Sequence, residues 1–300
     1  MRPLALPQTL QDGAFALFED IAAAKKDREN GSQHHEILAK KDLQDHVRAR
    51  YDAYAAARSC LETLGPHKPA FELQQRKALE SCYGSIKLQP VKARILQTQP
   101  PEICATCPYC GIGEIGQPAE KKTDRLDEWD HYFPQSSYPE YSALPLNLIP
   151  CCAKCNRKKR VTLLKNGQRC IVHFYFDQFD HREAFLTASI TFADGPSNPP
   201  RVRYGFLPAA CKSPFGSLFV RHSNTLGLCA RYSSKAREQI PTTVRTLKRH
   251  RRNTADAIVQ ELEGCAADEA EARGANHWTS VFYRAAADSA EFVDYCRRAP

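Results

Sequence analysis

The sequence predicts an α+β protein, because helical and strand periodicities occupy different parts of the chain. Over residues 1–100, apolar side chains recur every three or four positions, which is the spacing of one face of an amphipathic helix. Near residue 190, apolar and polar residues alternate, which is typical of a half-buried strand. A cysteine-rich segment lies between these two regions and follows neither pattern.

Length and composition indicate a folded protein with more than one domain. The chain has 300 residues, of which 42% are hydrophobic and 25% charged, and these values exclude a disordered protein. Lys and Arg outnumber Asp and Glu by 42 to 34, and the resulting charge of +8 favours a polyanionic partner such as DNA. No apolar stretch is long enough to cross a bilayer, and MRPLALP lacks the apolar core of a secretion signal. We therefore expect a cytoplasmic protein with no membrane partner.

The helical part comes first in the chain. Apolar stripes begin at Phe15 and at Leu43, whereas residues 89–102 contain three prolines and are predicted to be a linker. The chain as a whole divides into a helical N-terminal region (1–100), a cysteine-containing core (101–165), a strand-containing extension (166–222) and a helical C-terminal region (223–300).

Beyond the core, the alternating residues predict two strands, one over 186–192 and one over 201–206, joined by ADGPSNPP. The periodicity after Ser223 predicts one helix that carries Val244 to Leu262 and a last helix that carries Trp278 to Val293. The alanine-rich, acidic residues 266–275 are predicted to be a solvated connection between them.

The cysteines indicate a metal site. The chain has 13 of them, and thiols in a cytosolic protein stay reduced. Two C-x-x-C pairs can bend around one ion, and four thiolates form a closed tetrahedral site that suits a structural zinc. The predicted zinc ligands are Cys107, Cys110, Cys152 and Cys155.

Two further cysteines leave the exact ligand set open. Cys104 and Cys151 flank the pairs, and Cys104 with Cys107 would make an alternative first pair. Gly111 favours the pair that ends at Cys110, because a glycine suits the turn that closes a zinc knuckle. Chance clustering of buried cysteines is the other interpretation.

A set of polar residues is framed by these cysteines. Asp130 and His131 lie between the two pairs, followed by Asn147, and Asn156 comes directly after the last cysteine. Each alone would more often be a turn or capping residue. In this order, over 107–160, the motif D-H, N, C-x-x-C-N resembles the zinc-stapled type of HNH endonuclease.

The resemblance implies a ββα-metal core and a role for each residue. His131 would be the general base that activates water, since an imidazole titrates near neutral pH. Asp130 and Asn156 would bind a divalent Mg²⁺ or Mn²⁺ ion, which prefers oxygen ligands. Asn147, the middle asparagine of the catalytic motif, would attach the intervening loop to the strand.

A run of four cations follows Asn156 and is predicted to bind nucleic-acid phosphates, although charge runs are usually solvated helix faces. The second basic run, 248–252, fits either interpretation equally well. His173 and His181 are predicted to be packing or surface residues. The predicted phosphate-binding residues are Arg157, Lys158, Lys159 and Arg160.

Together these features predict a metal-dependent HNH endonuclease that cleaves DNA. The central stretch from residue 130 to 156 is also similar to HNH proteins that work beside an ATPase subunit in Septu-like bacterial anti-phage systems. A zinc-containing DNA-binding or scaffold module without cleavage activity is the alternative. That alternative explains the cysteines and basic runs but not the placement of the catalytic motif.

Overall fold

A computed structural model describes residues 2–25, 31–66, 70–100, 105–113, 115, 127–192, 199–250 and 254–298. The chain divides into two compact units, one of residues 3–178 and one of residues 1–2 with 179–300. The division at residue 178 lies inside the segment 166–222 that the sequence set apart as an extension. Helices and short two-stranded sheets occur in both units, which agrees with an α+β class.

Six helices occupy the described residues of the first hundred positions. Their buried faces carry the predicted apolar stripes, including Phe18 and Ile21 on one helix and Val47 and Tyr54 on another. Short 3₁₀ turns follow at Arg58–Thr63 and Cys82–Gly84. The helices are α1 (Gln8–Asp12), α2 (Ala14–Ala24), α3 (Gly31–Leu38), α4 (Lys41–Ala57), α5 (Leu73–Ser81) and α6 (Leu88–Gln97).

Helix α6 shows that the predicted linker over 89–102 was wrong for most of its length. Pro90 is the third residue of α6, where a backbone N–H has no partner within the helix, so a proline is tolerated. Leu88, Val91 and Ile95 are buried on one face and give the helix its packing surface. Proline count alone therefore misidentified a helix start as a linker.

The segment that contains Asp130, His131, Asn147 and Asn156 forms two strands followed directly by a helix. Strand β1 (Asp127–His131) pairs antiparallel with β2 (Leu148–Cys152), with His131 opposite Leu148. Helix α7 (Ala153–Lys159) begins at the end of β2. A small hairpin of β3 (Leu164–Lys165) and β4 (Gln168–Arg169) comes next, and its turn residues Asn166 and Gly167 have positive φ.

The C-terminal unit confirms the predicted strand pair and corrects the helices. Strand β5 (Leu186–Thr191) pairs antiparallel with β6 (Arg201–Phe206). The single helix predicted to carry Val244 to Leu262 is two helices, and the acidic residues 266–275 lie mostly in the second of them rather than in a connection. The last predicted helix is also two. The helices are α8 (Pro214–Leu226), α9 (Leu228–Arg249), α10 (Ala255–Arg273), α11 (Trp278–Ala287) and α12 (Ala290–Arg298).

Among the residues that the structure describes, no helix is both long enough and apolar enough to cross a membrane.

Candidate functional site

The two C-x-x-C pairs converge on one point in the N-terminal unit. All four sulfur atoms lie within 4.8 Å of one another, and Cys110 Sγ is 3.9 Å from Cys152 Sγ. All four side chains are buried. The cluster is formed by the predicted set of Cys107, Cys110, Cys152 and Cys155.

The first pair sits in a tight turn that requires glycine at two positions. Gly111 has φ +61°, in the left-handed region where a side chain is disfavoured. A Cβ at Gly113 would lie 2.5 Å from Cys152 Cβ, so only a residue without a side chain allows this close approach. The turn is closed by Gly111 N–H, which donates to Cys107 O at 2.7 Å, and by Ile112 N–H, which donates to Cys110 Sγ at 3.4 Å.

This arrangement fits a structural metal such as zinc. Burial raises the pKa of the Cys107 thiol, so a buried group of thiolates requires a cation for charge compensation. Four buried sulfurs leave no open position for substrate, which is the pattern of structural zinc sites. Cys151 is buried but is not part of the four-sulfur cluster. Cys104 lies outside the described residues.

His131 is the last residue of β1, and its imidazole is fixed by a backbone carbonyl. Nε2–H donates to Ser142 O at 3.1 Å, which leaves Nδ1 as the basic nitrogen. The pKa of His131 is lowered to about 4, mainly by burial. The hydrogen bond to the Ser142 carbonyl opposes this shift, whereas the nearby cations Lys159 and Lys92 add to it. The imidazole is therefore neutral near pH 7, which is the form that can accept a proton.

Residues from the helical region surround His131, and sequence reasoning missed them. The Tyr83 ring packs edge-on against the imidazole, with ring centroids 4.5 Å apart. Lys92 on α6 places Nζ 4.0 Å from the Tyr83 ring centroid and 5.8 Å from that of Trp129. A cation is thus held beside the candidate base by residues that precede the motif by about 40 positions in the sequence.

Asp130 forms a buried ion pair, which corrects two predictions. The ammonium of Lys159 donates to Asp130 Oδ1 at 3.0 Å, and Tyr109 O–H donates to Oδ2 at 2.6 Å. Asp130 is 2% exposed and Lys159 is fully buried. Lys159 is therefore not a surface contact for phosphate, and its ammonium pairs with the carboxylate that the resemblance implies as a metal ligand.

Tyr109 connects this ion pair to the cysteine cluster. It lies inside the first C-x-x-C turn, between Cys107 and Cys110, and its side chain is fully buried. Lys159 Nζ also donates to the carbonyl of His131 at 2.8 Å. The cysteine turn, helix α7 and the end of β1 are consequently joined by one buried set of hydrogen bonds.

Replacing Lys159 with Met should destabilise the N-terminal unit by about 3–5 kcal/mol, because it leaves the Asp130 carboxylate buried without a cation. Burial already raises the pKa of Asp130, and Lys159 opposes that effect. Chemical denaturation would measure the loss. Lys158→Met is the matched control, since Lys158 is the exposed neighbour on the same helix. Equal unfolding midpoints for Lys159→Met and wild type would contradict the structural role of the pair.

Asn156 lies on the first turns of α7 and contacts a different carboxylate. Its Nδ2 donates to Glu128 Oε2 at 2.6 Å, and both side chains are half-buried. Glu128 is two residues before Asp130 on β1, so both carboxylates project from the same side of the strand toward α7. Asn156 is therefore paired with the half-buried carboxylate of Glu128 and not with the fully buried carboxylate of Asp130.

Asn147 is buried, and its side-chain amide is hydrogen-bonded to the backbone of the loop between β1 and β2. Its Oδ1 accepts from Phe133 N–H at 2.7 Å, and its Nδ2 donates to the carbonyls of Phe133 and Tyr141, each at 3.2 Å. Tyr54 O–H donates to the same Oδ1 and lies 3.0 Å from Nε2 of His173. Asn147 is fully buried, and these hydrogen bonds fix the position of the loop, which is the role that the resemblance implies.

The remaining cations of the basic run point to solvent. Arg157, Lys158 and Arg160 are exposed, and so is Lys154, which the sequence had not singled out. In the second run, Lys248 and Arg249 end α9 and His250 pairs with Glu261, whereas residues 251–253 lie outside the described part. His173 is a buried packing residue, as predicted.

The chain is similar to a phage protein of known sequence. No protein-family model matches the chain, and no solved structure matches it. Protein ea31 of Escherichia phage lambda is 27% identical over 201 residues. The aligned part spans 62% of this chain and 62% of the phage protein's own length. The chain is thus similar to a phage-encoded protein over more than half of each sequence.

Proposed function

We propose that this protein is a metal-dependent endonuclease of the HNH type that hydrolyses phosphodiester bonds in DNA. The observation that carries the proposal is the placement of His131. It ends a strand whose antiparallel partner leads directly into α7, and a carbonyl holds one ring nitrogen so that the other is available. The buried cysteine cluster and Asn147 stabilise the surrounding segments but form no hydrogen bond with the imidazole.

His131 acts as the base that takes a proton from the attacking water. Its low pKa keeps the ring neutral at neutral pH, and Ser142 O sets the tautomer so that Nδ1 receives the proton. Tyr83 limits the rotation of the ring through its edge-on contact. A positioned base is typically worth about 100- to 10,000-fold in rate.

The residues that fit a catalytic divalent ion are Glu128 and Asn156. One carboxylate and one amide oxygen, with water filling the other positions, suit Mg²⁺ or Mn²⁺. When bound, such an ion stabilises charge on the phosphate oxygens. Asp130 fits less well as a ligand, because the ammonium of Lys159 lies 3.0 Å from its carboxylate and would repel a divalent cation.

Variants distinguish the two carboxylates. Glu128→Gln should raise the Mn²⁺ concentration required for half-maximal cleavage, and Asn156→Ala should do the same. Asp130→Asn should act mainly on stability. The opposite pattern, in which Asp130→Asn changes the Mn²⁺ requirement at an unchanged unfolding midpoint, would return the ligand role to Asp130.

DNA approaches the exposed cations of α7 and its C-terminal end. Replacing Arg157, Lys158 and Arg160 together with Gln should weaken DNA binding and reduce the slope of log affinity against log salt by about 2 to 3, because each phosphate contact releases about one counterion. Fluorescence anisotropy at several salt concentrations measures this slope. The control is Lys40, Lys41 and Lys77 replaced together by Gln, which removes the same charge from exposed positions elsewhere in the unit. Equal slopes in both triple variants would assign no specific role to α7.

Lys92 supplies positive charge next to the base. Lys92→Ala should raise KM for DNA about 10-fold, since a charge-assisted contact to phosphate is lost, and Lys92→Arg should retain most of the affinity. Arg94→Ala is the matched control, because Arg94 is an exposed cation two residues further along α6. If both alanine variants have the same KM, Lys92 serves only the aromatic packing.

The direct test is plasmid DNA incubated with the purified full chain and Mg²⁺, Mn²⁺ or a chelator. Nicked or linear products that need the metal and vanish in His131→Ala would support the proposal. DNA binding without cleavage under every metal condition would instead favour the alternative, a zinc-containing DNA-binding or scaffold module.

An ATPase subunit is the partner that the sequence resemblance suggests, and with it a role in antiviral defence. We extend the proposal to a nuclease that works with such a subunit. Affinity purification of the tagged chain from its native host should then recover ATP hydrolysis together with the nuclease. Recovery of the chain alone, fully active on DNA, would count against a partner.

A further inference from the structure

The C-terminal unit contains a cleft of about 680 Å³ whose walls are rich in cations. Arg2, Arg182, Arg284 and His181 line it, with Glu271 as a single acidic side chain. Arg2 belongs to the same compact unit as the others. This volume lies within the usual range for small-molecule sites, which is about 300–1,000 Å³.

The cleft has a defined framework. Ala275 N–H donates to His181 O at 2.8 Å, which joins the loop before α11 to the segment before β5. Asn276 strengthens this connection, because its Oδ1 accepts from Phe185 N–H at 2.6 Å and its Nδ2 donates to Glu183 O at 2.7 Å. Asn276 is buried, so these bonds are shielded from water. The backbone segments beside the cleft are therefore held together by buried hydrogen bonds.

The arginines lack acidic partners. Among the residues that the structure describes, no carboxylate forms an ion pair with Arg2, Arg182 or Arg284. Arg284 Nη2 donates to Ala275 O at 3.2 Å, while Nε of Arg2 is buried with no acceptor. The pKa of His181 is lowered, mainly by burial and next by the positive charge of Arg2. This effect of Arg2 is expected where positive charge is concentrated. An anion in the cleft would satisfy these donors.

A second groove of about 290 Å³ adjoins the cleft and shares Ala270 and Arg284 with it. Its lining includes four alanines, among them Ala267, and two exposed carboxylates, Glu263 and Asp288. Small apolar side chains leave room for a flat ring, and the two carboxylates can accept hydrogen bonds from an exocyclic amino group. The charged cleft and the apolar groove are thus continuous.

We propose that this surface binds a nucleoside polyphosphate whose base carries an amino group, with the phosphates on the arginines and the base on the alanines. Bidentate Arg contacts suit phosphate oxygens, and three unpaired arginines exceed what a single phosphate needs. The site is separate from the residues of the proposed nuclease, so it can be tested without DNA or catalytic metal.

The test is isothermal titration of the purified full chain with ATP and, separately, with pyrophosphate. Arg182→Ala should weaken ATP binding about 10- to 100-fold, since one charge-assisted contact is lost. Arg201→Ala, an exposed arginine of β6 outside the cleft, should leave it unchanged. Ala267→Leu, at an exposed position of α10, should weaken ATP binding but leave pyrophosphate binding intact.

Three results would overturn the proposal. Wild-type protein that takes up no ATP at millimolar concentration would remove the site. Equal loss in Arg182→Ala and Arg201→Ala would show nonspecific charge attraction. Pyrophosphate binding as tightly as ATP, with no effect of Ala267→Leu, would exclude recognition of a base. These measurements of ATP and pyrophosphate binding do not depend on whether the protein cleaves DNA.

Discussion

His131→Ala is expected to lower the rate of DNA cleavage by about 100- to 10,000-fold while DNA affinity, metal content and unfolding midpoint stay near wild type. In the proposed mechanism the substitution removes the proton acceptor and little else, because among the described residues the side chain hydrogen-bonds to Ser142 O and packs against Tyr83. Raising the pH should restore part of the activity, since hydroxide then replaces the missing base. Added Mn²⁺ should not, because the ion does not accept the proton.

Two comparisons make the His131 result specific. His250→Ala removes an exposed histidine of the C-terminal unit and should leave the rate of cleavage at saturating DNA unchanged. Glu128→Gln should be rescued in part by Mn²⁺, which separates loss of a ligand from loss of a base. Wild-type cleavage by His131→Ala would falsify the assignment of this residue and would leave the cysteine cluster as the main support for any HNH likeness.

The helices and strands were predictable wherever a single physical signal dominated. The stripe with Phe18 and Ile21 and the alternation around Ile190 both reflect burial of one face, and both were confirmed. Predictions of loops were wrong where they rested on residue composition and not on the periodicity of apolar residues. Pro90 suggested a linker but sits in the first turn of α6, and the acidic residues after Ala266 suggested a loop but continue α10. Proline position and helix propensity decide such segments, not residue type alone.

At the site, the sequence was sufficient to predict which cysteines cluster, but not which of the basic residues after Asn156 are buried. The basic run was treated as one surface, yet a helix turns about 100° per residue, so four consecutive residues cannot face one way. Cys155 and Lys159 are four positions apart and share the buried face of α7, while Arg157 and Lys158 point outward. Helical periodicity would therefore have identified Lys159 as the buried member.

Other contacts had no local signal in the sequence. Lys92 and Tyr83 belong to the helical region, and nothing near His131 in the chain indicates that they reach it. The partner of Asp130 in the cysteine turn, Tyr109, is also distant in the sequence, at 21 positions. Long-range packing brings these groups together, and a single sequence does not encode such pairings in any readable pattern.

The largest effect on stability is expected for the cysteine cluster. Purified protein should contain one zinc per chain, and Cys152→Ser or Cys155→Ser should lose the metal and unfold the N-terminal unit around residues 105–159. Structural zinc contributes about 10–16 kcal/mol of binding free energy in small zinc domains, and that energy is folding energy where the apo site cannot persist. Here the buried sulfurs lie within 4.8 Å of one another, so without a cation they must remain protonated or move apart.

Cys151→Ser gives the control that separates ligand loss from the general cost of altering a buried thiol. Cys151 is as buried as its neighbour Cys152 and lies on the same strand, but its sulfur is not part of the cluster. It should retain one zinc per chain and lose only a modest amount of stability. Elemental analysis with circular dichroism melting measures both properties.

Because Tyr109 in the first cysteine turn bonds to Asp130, and Lys159 connects Asp130 to His131, zinc loss should also abolish cleavage. Zinc-free protein with wild-type melting, or Cys151→Ser that loses zinc as fully as Cys152→Ser, would contradict the assignment.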